Sequence, residues 1–116
     1  MLQLNAQSKI LIATAPADGR KGIDGLAAIC RLQLTIEPTN GILFVFCNKS
    51  RKIIKILCYD GQGFWLLIKR LSTGRFKWWP VNKQNTCQLN YRELFTMIHN
   101  GIPKDAKFSE DWKPVS

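Results

Sequence analysis

The chain is a series of short apolar runs separated by polar breaks that carry glycine or proline. Residues 9–14 (KILIAT) form a run of strand length. Residues 15–22 (APADGRKG) combine Pro16, an Asp-Gly pair and two cations, and so predict a loop. Apolar residues then recur at 23, 26, 27, 30 and 34, the spacing of a helix over 23–34 with one stripe facing a core. Asp24 near its start suits the positive end of the helix dipole. Residues 37–41 (EPTNG) break the chain at Pro38 and at Asn40-Gly41.

Four strand-length runs follow, at 42–47, 52–59, 64–71 and 75–81. The breaks between them, 48–51, 60–63 and 72–74, are short and turn-forming, which favours antiparallel hairpins. Pro80 ends the last run or sits on a sheet edge. Residues 82–88 form a polar link to a second helix. Asn90 and Glu93 have capping-box spacing there, and Tyr91, Leu94, Phe95 and Ile98 supply an apolar face. Gly101 and Pro103 stop that helix. The predicted fold is α+β, an antiparallel β-meander of four to five strands packed with two helices. It forms a single domain over 1–103, followed by a loosely ordered tail at 104–116.

Composition sharpens this picture. At 116 residues the chain suits one domain with one modest core, and 46% hydrophobic content argues against intrinsic disorder. The formal charge is +9. A small domain this basic meets nucleic acid, an anionic membrane or an acidic protein. Nine cations lie between Lys49 and Lys83: Lys49, Arg51, Lys52, Lys55, Lys69, Arg70, Arg75, Lys77 and Lys83; Asp60 is the only acid among them.

Side chains alternate along a strand. In the second run Lys55 therefore shares a face with Ile53, Leu57 and Tyr59. In the third, Trp65, Leu67 and Lys69 oppose Phe64, Leu66, Ile68 and Arg70. In the fourth, Arg75, Lys77 and Trp79 oppose Phe76 and Trp78. The expectation is one apolar sheet face against the helices, and one exposed face presenting Lys55, Tyr59, Trp65, Lys69, Arg75, Lys77 and Trp79. Cations neutralise phosphates, and exposed rings stack on unpaired bases at ~1–3 kcal/mol per base. The alternative is that Trp65, Trp78 and Trp79 complete the core beneath the stems of the basic residues. Arg20 and Lys21, in a loop running into a helix, add a second place for a phosphate. The competing reading of that loop is a tight turn in which Asp18 binds backbone amides and Arg20 pairs with an acid.

Catalytic and metal chemistry find little support. The lone His99 falls near a helix end, and no nucleophile elbow, phosphate-binding glycine loop or H-x-x-x-H pattern occurs. Asp24, Asp60 and Glu93 could serve a metal-dependent nuclease only if they converged. Cys30, Cys47, Cys58 and Cys87 contain no C-x-x-C pair and read as reduced, mostly buried thiols, with a four-thiolate zinc site the weaker alternative. No leader or membrane span is evident, so a cytoplasmic protein without cofactor or metal is expected.

Several segments together resemble a known family. They are 18–26 (DGRKGIDGL), 41–46 (GILFVF), 53–57 (IIKIL), 60–64 (DGQGF), 69–71 (KRL), 74–78 (GRFKW) and the helix end at 94–102. In this order they are similar to the second-open-reading-frame (TnpB-type) accessory protein of the insertion sequence 66 transposon family, over residues 10–103. The RNA-guided nucleases that share that label are unrelated. The resemblance implies a bacterial mobile element and an accessory role in its transposition, beside a separate and larger transposase. It implies no catalytic residues. Gly19, Cys58, Leu67 and Ile68 depart from the family pattern, the last three standing where aromatics are frequent.

The combined expectation is a non-enzymatic DNA-binding accessory protein. Its nucleic-acid-binding residues would be Arg20, Lys21, Lys55, Lys69, Arg70, Arg75 and Lys77. The element's transposase is a second partner, and the alternative is a protein-interaction module that holds it. Nothing in the sequence sets an oligomeric state.

Overall fold

The computed structural model describes residues 9–81 and 83–103; the predicted tail at 104–116 lies outside them. Four consecutive apolar residues make Ile10–Ala13 (β1), which is buried throughout. A polar loop leads into Ile23–Leu32 (α1), whose Leu26, Ala27, Ile29 and Cys30 are buried. The chain returns as Leu43–Cys47 (β2), parallel to β1 and equally buried. A continuous apolar run is what a strand covered on both faces requires. Ile53–Tyr59 (β3) and Phe64–Arg70 (β4) follow as antiparallel neighbours. Thr86–Leu89 (β5) pairs antiparallel with β1, and Tyr91–Ile98 (α2) closes the fold. The sheet order is β4-β3-β2-β1-β5.

The α+β expectation of four to five strands and two helices is met with five strands, and the predicted capping box is present. The Asn90 side chain accepts from the Glu93 amide at 2.8 Å, and the Glu93 carboxylate accepts from the Asn90 amide at 3.0 Å. Two details differ. The meander has three strands, β2 to β4, because residues 75–81 form no strand. That segment instead crosses one sheet face and buries Phe76 and Trp79 in the core, three residues apart and so out of strand alternation. The fifth strand lies in the predicted polar link, where 86–89 (TCQL) pairs with the otherwise open edge of β1.

Both faces of the sheet are covered. On one, α1 packs over Leu11, Ala13, Phe44, Phe46 and Leu57. On the other, Leu94 and Met97 of α2, with Phe76 and Trp79, pack over Ile10, Ile12, Val45, Ile54 and Ile56.

Candidate nucleic-acid interface

The exposed basic sheet face is not present. Lys55 is buried on the α1 side, where its ammonium donates to the carbonyls of Gly19 at 2.7 Å and Lys21 at 2.6 Å. It therefore pins the loop before α1 and does not face solvent. Lys69 donates to the Ile98 carbonyl at 2.7 Å, at the end of α2, where the negative end of the helix dipole favours a cation. The two lysines also lie on opposite faces. Tyr59 pairs with Phe64 across the four residues 60–63, so Lys55 stands opposite Ile68, and Lys69 opposite Ile54. Odd positions on β3 thus share a face with even positions on β4.

The rings do not form a stacking platform beside the cations. Trp79 is buried with its indole N–H on the Ala13 carbonyl at 3.0 Å, and Trp78 packs against the same core. Trp65 is exposed, but it sits beside the β3–β4 turn, where its indole donates to Asp60 at 2.8 Å.

The topology gathers the cations elsewhere, at the end of the sheet where β1, β2 and β4 finish and β3 begins. Three connections meet there. The Ala17 amide donates to the Cys47 carbonyl at 2.9 Å, tying the β1–α1 loop to the end of β2. The Asn48 side chain accepts from the amides of Lys52 at 2.9 Å and Ile53 at 3.1 Å, shaping the β2–β3 hairpin. The Phe76 amide donates to the Arg51 carbonyl at 2.7 Å, bringing the segment after β4 against that hairpin. Among the described residues this end carries nine cations (Arg20, Lys21, Lys49, Arg51, Lys52, Arg70, Arg75, Lys77 and Lys83) against two acids, Asp18 and Asp24. Eight of the nine are exposed, and Arg51 is half-buried. A cleft between the loops is lined by Thr14, Pro16, Asn48, Lys49, Arg51 and Val81. Among the described residues the opposite end holds Lys9 and Arg92 with Asp60 and Glu93, a balance, and the Arg31–Glu37 ion pair adds no net charge to either end.

Of the predicted binding residues, Arg20, Lys21, Arg70, Arg75 and Lys77 are at the basic end with their heads outside the core. Lys49, Arg51, Lys52 and Lys83 join them although strand parity gave them no role. The signal that would have found them is connectivity: these four lie in connections that end on the same side of the sheet. Arg20 is the one cation of this end that is ion-paired among the described residues, to Asp18 at 3.0 Å. Asp18 also accepts the Arg20 amide at 2.9 Å, and these contacts hold its carboxyl down at about 2. The tight-turn reading of the loop is thus present beside two exposed cations.

The acids do not assemble. Asp24 lies at the basic end, while Asp60 and Glu93 lie at the other. Among the described residues no group of three acids, histidines or cysteines is placed to hold a metal ion. Cys30 is in the core under α1, whereas Cys47, Cys58 and Cys87 are on the other face, so the four thiols cannot share one ion. Burial pushes Cys30 and Cys47 up to about 11. No helix of the described residues is long and apolar enough to cross a membrane.

Asp60 is a turn residue. Its carboxylate accepts the amides of Gln62 at 2.9 Å and Gly63 at 3.0 Å besides the Trp65 indole, and these bonds lower it to about 2. A depressed folded-state value contributes stability above the ordinary carboxylate value, and that contribution is lost as pH falls from about 4 to about 2. Asp60→Asn is therefore expected to melt below the wild type at pH 6, with the gap closing by about pH 2. Thermal melts across that range check this, and a constant gap would contradict it.

Comparison with known proteins finds a matching family model and two uncharacterized relatives. The model of the IS66 Orf2-like proteins matches residues 8–107. The uncharacterized protein y4hO of Sinorhizobium fredii is 40% identical over 115 residues, covering 99% of this chain and 97% of its own. The uncharacterized protein y4jC of the same organism is 37% identical over 90 residues, covering 78% of this chain and 76% of its own. No solved structure matches.

Proposed function

The chain belongs to the IS66 Orf2-like family of insertion-sequence accessory proteins, and from that premise we propose that it works in transposition as a non-enzymatic DNA-binding factor, with the basic end as its contact surface. The observation that carries this reading is the charge asymmetry between the two ends of the sheet among the described residues, nine cations against two acids at one and two against two at the other. Lys and Arg that neutralise phosphates release condensed counterions, which drives association without any base contact. The cations stand on loops around the sheet end, so they suit the spaced phosphates of a duplex. The absence of an exposed aromatic beside them, among the described residues, removes the stacking that would favour single strands.

The wild-type protein should therefore bind element-end duplex and random duplex with similar affinity. Both should weaken by at least about a hundredfold between ~50 and ~200 mM salt. Single strands of equal length should gain no advantage. Salt-independent binding, or a clear preference for single strands, would remove the proposal. An acidic surface on the element's transposase is the other partner such an end attracts. Copurification of the transposase that survives nuclease digestion would assign the surface to it.

A further inference from the structure

The edge strand β4 is left open in a way that native sheets ordinarily prevent. Edges are protected by short strands, proline, bulges or central charges, since unpaired amides and carbonyls template pairing with another chain. β5, at the other edge, has four residues. β4 has seven, FWLLIKR, paired with β3 in unbroken register from Phe64 to Arg70, without proline or bulge. No other strand among the described residues pairs with its outer side. Apolar side chains at its middle stand exposed on both faces: Trp65 at 41%, Leu67 at 42% and Ile68 at 56%.

The hydrogen-bond phase of this edge is set by the hairpin. The Asp60 amide donates to the Gly63 carbonyl at 3.1 Å, and the Leu71 amide to the Lys52 carbonyl at 2.9 Å. Alternation along an antiparallel pair then turns the backbone groups of Trp65, Leu67 and Lys69 toward β3. Those of Phe64, Leu66, Ile68 and Arg70 point outward. A second β4, antiparallel and in full overlap, would join Phe64 to Arg70 and Leu66 to Ile68 through these outward groups. Leu67 would face its own copy as the central, non-hydrogen-bonded pair.

The side chains fit that register. Trp65 falls opposite Lys69, whose stem can lie along the indole while its head stays on Ile98. Phe64 falls opposite the guanidinium of Arg70, a ring facing a cation. Leu66 meets Ile68, and Leu67 meets Leu67. Moving the register by four residues in their sum would set Lys69 against Lys69, a like-charge pair. Full overlap thus pairs all seven residues of the strand with no like charges opposed, which points to a second copy of this chain as the occupant.

We propose that the protein forms a two-fold dimer by antiparallel pairing of β4 edges around Leu67, extending the sheet across both copies. Because paired strands run in opposite directions, the two basic ends then point away from each other. The dimer does not depend on the DNA-binding reading, and its test uses no nucleic acid.

The experiment is a sedimentation-equilibrium series on the full chain, with Leu67→Lys as the disrupting variant. The wild type is expected to dimerise with rising concentration. Leu67→Lys, which opposes two ammonium groups at the axis, should raise the dimer dissociation constant at least about tenfold. Its own fold should persist, read from an unchanged circular-dichroism spectrum, because the side chain is partly exposed. Mixing Leu67→Lys with Leu67→Glu should restore a mixed dimer, which no merely unfolded variant could do. Leu67→Cys should give an oxidised covalent dimer, since a central non-hydrogen-bonded pair sets its Cα atoms about 4.5 Å apart, and Trp65→Cys should not. A wild type that stays monomeric at all concentrations would overturn the proposal. So would a dimer unaffected by Leu67→Lys, a failure of the mixed pair to associate, or equal cross-linking at 65 and 67.

Discussion

Neutralising Lys21, Lys49, Arg75 and Lys77 together, each to glutamine, is expected to lower duplex affinity about 10²–10³-fold at ~0.1 M salt. The four come from all three connections at the basic end, so the variant thins the charge across the whole surface. Each side chain is exposed and makes no hydrogen bond or ion pair within the described residues. Folding should then be untouched, with a melting temperature close to the wild type. A gel-shift titration measures the affinity, and a thermal melt supplies the control. Affinity within a few-fold of wild type would mean that DNA, if bound, is held elsewhere.

Lys55 predicts the opposite split, a loss of stability. Lys55→Ala is expected to cost about 2–4 kcal/mol. Its ammonium satisfies two carbonyls, Gly19 and Lys21, and its stem fills space between β3 and the loop before α1. Truncation leaves both acceptors without their donor and opens a cavity. Lys55→Met separates these contributions: it keeps most of the stem and loses only the head, for a cost of about 1–3 kcal/mol. Urea titrations of the three proteins check the order, with wild type most stable, Met intermediate and Ala least. Two variants as stable as the wild type would place the ammonium in water. A charge reversal at Lys55 would likewise disturb folding before it tested binding, so this residue does not belong in a DNA-binding variant.

Much of the architecture could be read from local pattern. The helical spacing at 23–34 gave α1, the Asn90–Glu93 pair gave the start of α2, and three apolar runs with turn-forming breaks gave β2 to β4. What local pattern missed depends on distant neighbours. The strand at Thr86–Leu89 has weak strand character and exists because β1 offers an open edge. Residues 75–81 alternate like a strand, yet their apolar members are anchors that fix an irregular segment across the sheet.

The concentration of cations was legible in composition, and their placement was misread in geometry. Within β3 the parity of Lys55 with Ile53, Leu57 and Tyr59 was correct. The error lay in supposing that this face was open, when the β1–α1–β2 crossover covers it with a helix. Across the hairpin, the connection at 60–63 exchanges odd for even, which separates Lys55 from Lys69. Connections carry the remaining cations, and which end of the sheet a connection occupies follows from topology, a property that strand periodicity does not contain.

The most direct test is the salt dependence of duplex binding, compared between variants of the two sheet ends. Neutralising Lys21, Lys49, Arg75 and Lys77 should flatten the slope of log affinity against log salt by about three to four. Neutralising Lys9 and Arg92, at the balanced end, should leave it unchanged. Equal flattening per charge removed from either end would show that charge acts from the whole surface, and would contradict a DNA contact localised to the loops around Asn48.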